Sequence, residues 1–273
     1  MNKEIFIARF CGFCTGVTKA VKETEKVLKS KKNVYCIGDL IHNSFVIEEL
    51  KSLGLKVVDD ISQIPENANF IVRAHGIPVE TLKQLKKKNC RIFDFTCQIL
   101  KRVHHLIEEL KKQKFKIIII GNPNHPEVKA FISHAGKDAL VVFKDSDLEN
   151  IKILPPCAVI CQSTIDKEMF LRISRKLIEK TRKILIINTI CGEVEARRKE
   201  AIKLAKNSKM VIIVGDKKSS NTKHLAKILR KFTRAEIVSD AEELEKIKIE
   251  YPIFLTSGAS TPMRLIKEIA KKL

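Results

Sequence analysis

The sequence predicts an α/β protein built from three similar small parallel-sheet units, and three observations predict it. Apolar runs rich in Ile, Val and Phe alternate with amphipathic Lys/Glu/Leu stretches almost throughout, the pattern of parallel strands joined by crossover helices. Polar loops recur at comparable intervals where these runs end. Cys14, Cys97 and Cys191 close three of the strand-like runs, one in each third of the 273-residue chain.

Taken in order, strands are expected at 5–10, 33–38, 56–58, 70–74, 91–95, 116–121, 139–143, 158–162, 184–189, 210–215, 235–239 and 253–257. Each is an apolar or β-branched run bounded by polar or Gly-containing segments. One unit, 13–97, ends strands at His42-Asn43, Ala74-His75-Gly76 and Thr96-Cys97. A second, 98–191, ends them at Asn124-His125-Pro126-Glu127, Gln162-Ser163-Thr164 and Ile190-Cys191. A third, 192–273, has Ser219-Ser220-Asn221 and Gly258-Ala259-Ser260, and the N-terminal strand of 1–12 completes it by leading to Cys14. Ligands of open parallel sheets bind beyond the C-terminal strand ends. Three such units can therefore face one central cavity.

Composition narrows the class. Lys and Arg number 52 against 32 Asp and Glu, a net charge of +20. That favours an acidic partner such as nucleic acid, a phosphorylated substrate or an acidic electron carrier. Most lysines nevertheless fall on helix faces, as in Leu82-Lys83-Gln84-Leu85-Lys86-Lys87-Lys88, where water solvates them. Two Tyr and no Trp give poor support to a stacking platform for single strands. The apolar runs are short, and 117–120 and 210–214 fall far short of the roughly 20 residues of a membrane span. No basic–apolar–small leader pattern is read at the N-terminus. A cytoplasmic protein with no membrane partner is expected.

Eight cysteines without a leader pattern argue for metal or redox chemistry rather than a disulfide scaffold. Three thiolates arriving from separate thirds suit a soft metal or an iron–sulfur cluster. Three ligands rather than four leave one metal position open for chemistry. Cys11-Gly12-Phe13-Cys14 also has the C-x-x-C spacing of thioredoxin-like redox sites. Cys11, Cys14, Cys97 and Cys191 would equally make a closed zinc site, which in a basic α/β module points to nucleic-acid binding. Cys36, Cys90, Cys157 and Cys161 are expected in the core.

The histidines divide by position. His104, His105 and His224 lie on helical stretches, and His134 is ambiguous. His42, His75 and His125 each occupy a strand-to-helix loop, where imidazole can donate to phosphate oxygens. The Ser219-Ser220-Asn221 and Ser260-Thr261-Pro262 turns precede helices and offer hydroxyls and amides to an anion, or serve as ordinary caps. Glu127 is either a proton-delivering carboxyl or a carboxylate favoured by the start of its helix.

Nine segments together resemble the family of 4-hydroxy-3-methylbut-2-enyl diphosphate reductases, of the non-mevalonate isoprenoid pathway. They are Gly12-Phe13-Cys14-Thr15-Gly16-Val17, Ile41-His42-Asn43, Ala74-His75-Gly76, Thr96-Cys97, His125-Pro126-Glu127-Val128, Gln162-Ser163-Thr164, Asn188-Thr189-Ile190-Cys191, Ser219-Ser220-Asn221 and Gly258-Ala259-Ser260. The resemblance implies a [4Fe–4S] cluster held by Cys14, Cys97 and Cys191, its fourth iron open to substrate, with the three units in a pseudo-threefold (trefoil) arrangement around it. It implies diphosphate binding by His42, His75, His125, Ser219, Ser220, Asn221 and Ser260. Glu127 would supply protons and Ser163 would orient the substrate hydroxyl. The products would be isopentenyl and dimethylallyl diphosphate. Electrons would come from a carrier such as flavodoxin or ferredoxin, and no nucleic-acid partner is implied. Three segments depart from the family's usual residues. Ser163 stands for Thr and keeps the hydroxyl. Glu193-Val194 stand for Ala-Thr, and Arg197-Arg198 for Arg-Gln. No role is assigned to the last four.

Overall fold

The computed structural model describes residues 4–149, 155–217 and 219–273, and the side chain of Ser220 also lies outside the described residues. Among them the chain runs β1 (Ile5–Ile7), α1 (Thr15–Ser30), β2 (Val34–Ile37), α2 (Ser44–Ser52), β3 (Leu55–Val58), β4 (Asn69–Val72), α3 (Val79–Lys87), β5 (Arg91–Asp94), α4 (Gln98–Lys112), β6 (Lys116–Ile120), α5 (Pro126–Ala135), β7 (Leu140–Val142), β8 (Cys157–Cys161), α6 (Lys167–Lys180), β9 (Ile184–Ile186), α7 (Gly192–Ala205), β10 (Met210–Val214), α8 (Ser220–Leu229), β11 (Arg234–Val238), β12 (Ile253–Ser257) and α9 (Met263–Lys272). All twelve expected strands are present.

The strands form three four-stranded sheets, ordered β3-β2-β4-β5, β7-β6-β8-β9 and β11-β10-β12-β1. The registered strand pairs are parallel. Each sheet has the same winding. Its two inner strands flank the point where the chain reverses direction across the sheet, and an outer strand leads to one of the three cysteines. Loops at such a reversal point open a crevice beyond the strand ends. The loops of His42 and His75 follow β2 and β4, those of His125 and Ser163 follow β6 and β8, and those of Ser219 and Ser260 follow β10 and β12.

The chain gathers into two compact units. One contains the segment ending at Ser30, Asp39–Leu55 and Gly192–Leu273; the other contains Lys31–Gly38 and Lys56–Cys191. In the second, period-two alternation sends successive residues of one strand to opposite faces. Ile118, Ile120, Val159 and Cys161 pack with Phe170, Ile173 and Leu177 of α6. Ile117, Ile119, Ala158 and Ile160 pack with Val103 and Ile107 of α4 and Phe131 of α5. In the first unit, Ile212, Val214 and Leu255 meet Leu265, Ile266 and Ile269 of α9. Val211, Ile213 and Phe254 meet Ala201 and Ala205 of α7 and Leu225 and Leu229 of α8. Strands covered on both faces are continuous apolar runs, as Met210–Val214 and Lys116–Ile120 are apart from Lys116. Burying one such Ile or Val contributes about 1.5–3 kcal/mol. Cys36, Cys90, Cys157 and Cys161 are buried as expected.

Two strands end three residues earlier than the sequence suggests. After Ala8 donates to Leu255 O, the amides of Arg9 and Phe10 turn to the carboxylate of Glu200, at 2.9 and 2.8 Å. Beyond Ile187, the Thr189 hydroxyl accepts from Cys161 N at 2.8 Å and donates to Cys161 O. Side chains thus replace the ladder bonds beyond Ala8 and Ile187.

One glycine is fixed by close approach. A Cβ added at Gly258 would lie 2.5 Å from Thr222 Oγ1. Thr222 is fully buried and cannot swing out. Gly258→Ala is expected to cost about 1–3 kcal/mol, read as a lower urea midpoint with unchanged slope.

Candidate active site

Each of the three cysteines follows an outer strand and stands at the start of a helix. Thr15 begins α1 directly after Cys14, Cys97 is the N-cap of α4, and Gly192 begins α7 directly after Cys191. One bond recurs in all three places. Cys14 N donates to Ala259 O at 2.9 Å, Cys97 N to Ala74 O at 3.0 Å, and Cys191 N to Ser163 O at 2.9 Å. Each acceptor lies in the loop of the neighbouring inner strand, within one residue of Ser260 or His75 or in Ser163 itself. The repeat read from the sequence is therefore a repeated hydrogen bond, which ties each cysteine to a loop bearing a candidate substrate contact.

Within the first unit, the Ser260 hydroxyl donates to His42 O at 2.8 Å. Cys14, Ser260 and the His42 backbone thus form one connected chain. Ser219 is buried and caps α8, its hydroxyl oxygen accepting from Thr222 N at 3.4 Å. A hydroxyl that accepts from the helix can still donate its proton outward. Asn221 lies in the first turn of α8 and is half-buried. Asp216, in the same loop, accepts from Ser44 N at 3.0 Å and so joins the start of α2 to it.

Within the second unit, the His75 and His125 rings meet edge to face with centroids 5.6 Å apart. His125 caps α5, Nδ1 accepting from Glu127 N at 3.2 Å. This places the neutral ring's proton on Nε2, a tautomer assigned from the bond geometry. Glu127 is 1% exposed. Its Oε1 accepts from Ser163 N at 2.5 Å and its Oε2 from Ser163 Oγ at 2.8 Å. Ser163 in turn accepts from Cys191 N. Glu127, Ser163 and Cys191 are thereby linked in sequence.

Burial pushes the Glu127 carboxyl up to about 7, against the two Ser163 bonds that favour its charged form. A buried carboxyl titrating near neutrality is suited to give up and regain a proton. The same shift has a stability consequence. Below pH 4.5 the group is neutral in both folded and unfolded chains and carries no penalty. From 4.5 to about 7 the unfolded chain ionises and the folded one does not, and above 7 the penalty reaches about 3 kcal/mol. In apoprotein, the stability of Glu127→Gln relative to wild type should rise by about 2–3 kcal/mol between pH 5 and pH 8 in urea titrations.

The sequence did not single out His104. It is buried, stacks on His134 at 4.3 Å and packs edge-on against Phe131. Desolvation, then the neighbouring His134, lowers it to about 4, so it stays neutral. Its Cε1 lies 2.9 Å from where a Gly76 Cβ would stand, and Gly76 has φ +80°. The glycine beside His75 is thus required twice over. The ambiguous His134 pairs with Glu108 at 2.7 Å. Also unforeseen was the clamp on Cys14. Glu193 accepts from Thr15 N at 3.1 Å, and Arg197 donates to Phe10 O at 3.0 Å. The i,i+4 spacing of Glu193 and Arg197 was visible, but their distant backbone targets were not. Val194 and Arg198 are buried.

The donor set fits an iron–sulfur cluster. All eight cysteines are free thiols, and Cys14, Cys97 and Cys191 are half-buried rather than packed away. Val17 N donates to Cys14 Sγ at 3.4 Å, the kind of amide–sulfur bond that tunes such centres. Each of the three cysteines stands at the positive end of a helix, α1, α4 or α7, which favours negative charge there. Cys11 contrasts with them: it packs against two apolar cores, and burial raises its thiol.

Comparison with known proteins shows the family. A Campylobacter hominis protein named 4-hydroxy-3-methylbut-2-enyl diphosphate reductase is 37% identical over 99% of this chain and 98% of its own length. Its namesake from Helicobacter pylori is 36% identical with the same coverage. Among solved structures, the E-1-hydroxy-2-methyl-but-2-enyl-4-diphosphate reductase of Plasmodium falciparum superposes with TM-score 0.92 at 27% identity, covering 99% of this chain and 88% of that one. A second reductase structure, described as the terminal enzyme of the non-mevalonate pathway, gives TM-score 0.76 at 30% identity and covers 99% of both chains. The family model described as LytB protein matches residues 5–273, and the chain belongs to that family.

Proposed function

We propose that this protein is an iron–sulfur oxidoreductase that removes the hydroxyl of 4-hydroxy-3-methylbut-2-enyl diphosphate, yielding isopentenyl diphosphate and dimethylallyl diphosphate. The observation that carries the reading is the Glu127–Ser163–Cys191 chain, a titratable carboxyl that accepts from the amide and hydroxyl of Ser163, whose carbonyl accepts from the amide of a proposed cluster ligand, in a member of the LytB family. The reaction breaks the allylic C–O bond, forms a C–H bond at either end of the allyl system and releases water. It consumes two electrons and two protons. Cys14, Cys97 and Cys191 would hold a [4Fe–4S] cluster, which when bound would pass the electrons on and offer a Lewis-acid position for the hydroxyl.

The chain's own residues bind, orient and move protons. The diphosphate is assigned to His42, His75, His125, Ser219, Ser220, Asn221 and Ser260. A phosphate oxygen only accepts, and the His125 tautomer offers it the Nε2 proton. Asn43, His125 and Ser219 cap helices whose N-termini favour anions. Ser163 orients the substrate hydroxyl while holding Glu127. When Glu127 is protonated, Ser163 Oγ can accept from it and pass its own proton on, so the pair serves as a two-step donor. Half-occupied near neutrality, Glu127 reloads between turnovers.

The electrons come from a separate carrier, assigned to an acidic flavodoxin or ferredoxin by charge complementarity with the +20 chain. Lys83, Lys86 and Lys87 are exposed on α3, as the sequence suggested for most lysines. Among the described residues no helix is long and apolar enough to cross a membrane. The test is an anaerobic assay with a chemical reductant. Consumption of the allylic alcohol diphosphate with appearance of both isoprene diphosphates supports the reading, and unchanged substrate with cluster-loaded protein refutes it.

A further inference from the structure

We propose that α7 is a brace that sets the position of the Cys14 thiol, with Glu193 and Arg197 as its positioning residues; this rests on the reading of Cys14 as a cluster ligand. Comparison of the three cysteine loops shows why Cys14 needs a brace. In the Cys97 loop, Asp94 accepts from Thr96 N at 3.0 Å. In the Cys191 loop, Asn188 accepts from Ile190 N at 3.0 Å. In both, the residue three before the cysteine clasps the amide just before it. The corresponding residue before Cys14 is Cys11, whose side chain is packed against apolar cores and has no carboxylate or amide oxygen to offer. The local clasp is replaced by bonds from a distant helix.

Those bonds are dense. Glu193 Oε2 accepts from Thr15 N at 3.1 Å and from Thr15 Oγ1 at 3.2 Å, while Oε1 pairs with Arg197 Nη2 at 3.2 Å. Arg197 Nη1 donates to Phe10 O, and the guanidinium is only 6% exposed. Glu200 holds Arg9 N and Phe10 N. The brace thus grips the loop on both sides of Cys14 after it has left the sheet. Its carboxylate also meets the amide of the residue next to the thiol, at the start of α1.

The test is thiol alkylation in folded apoprotein, read by mass spectrometry as the ratio of Cys14 to Cys97 rates. Glu193→Ala should change that ratio about tenfold, the effect of losing one charge-assisted hydrogen bond. Glu193→Gln keeps an oxygen for Thr15 N and should stay close to wild type. General loosening of the fold would accelerate both thiols together and leave the ratio unchanged. An unchanged ratio in Glu193→Ala, or a Gln variant that behaves like Ala, overturns the brace. Alkylation of anaerobically purified, cluster-loaded wild type separates the underlying assignment: protection of Cys14 supports it as a ligand, and a Cys14 that reacts as in apoprotein refutes the ligand reading whatever the apoprotein ratios show.

Discussion

Glu127→Gln is expected to lower kcat by about 10²–10⁴-fold, the usual contribution of a positioned general acid, while leaving iron content and substrate affinity near wild type. The reason is local. Glutamine fills the same buried volume and its amide oxygen still accepts from Ser163 N, so the loop that donates to it and receives Cys191 N stays in place. What is lost is a group that can be protonated near pH 7. The uncoupling of chemistry from binding is the diagnostic feature, because a structural role would disturb Ser163 and with it the cysteine loop. Steady-state kinetics beside iron analysis reads both. Near-normal turnover in the variant refutes the proton-donor role.

Cys97→Ser should cost most of the cluster and with it essentially all turnover. A serine hydroxyl is a hard, weakly ionised ligand where the site is built for soft thiolates. The substitution is small and the position is half-buried at the head of α4, so the fold has little reason to change. The amide that bonds Ala74 O is untouched. Circular dichroism unchanged with iron well below wild type is the expected pair of results. A full four-iron spectrum would contradict the assignment of Cys97.

Much of this was legible in the sequence because it depends on periodicity and chain order. Strand segments such as 117–120 and 210–214 are buried on both faces and announce themselves as unbroken apolar runs. The order of loops along the chain also fixed which residues follow the inner strands of one sheet: His125 and Ser163 follow β6 and β8, and Ser219 and Ser260 follow β10 and β12. Bonds between distant residues were not legible. Nothing local distinguishes Glu200 from any other helix carboxylate, yet it ends β1 by taking two of the next amides. Thr189 looks like one more strand residue, yet its hydroxyl bonds both the amide and the carbonyl of Cys161. Position alone left Glu127 evenly divided between a helix-start carboxylate and a proton donor. It is in fact in the first turn of α5, and its near-complete burial against Ser163 is the feature that only three dimensions supply.

The most direct test is iron and sulfide analysis of anaerobically purified protein, run beside Cys14→Ser, Cys97→Ser, Cys191→Ser and Cys11→Ser. The predicted result is four iron and four sulfide per chain in wild type and Cys11→Ser, with loss in each of the other three. A colourless protein carrying zinc, or full iron retained after replacing Cys14, Cys97 or Cys191, would contradict it.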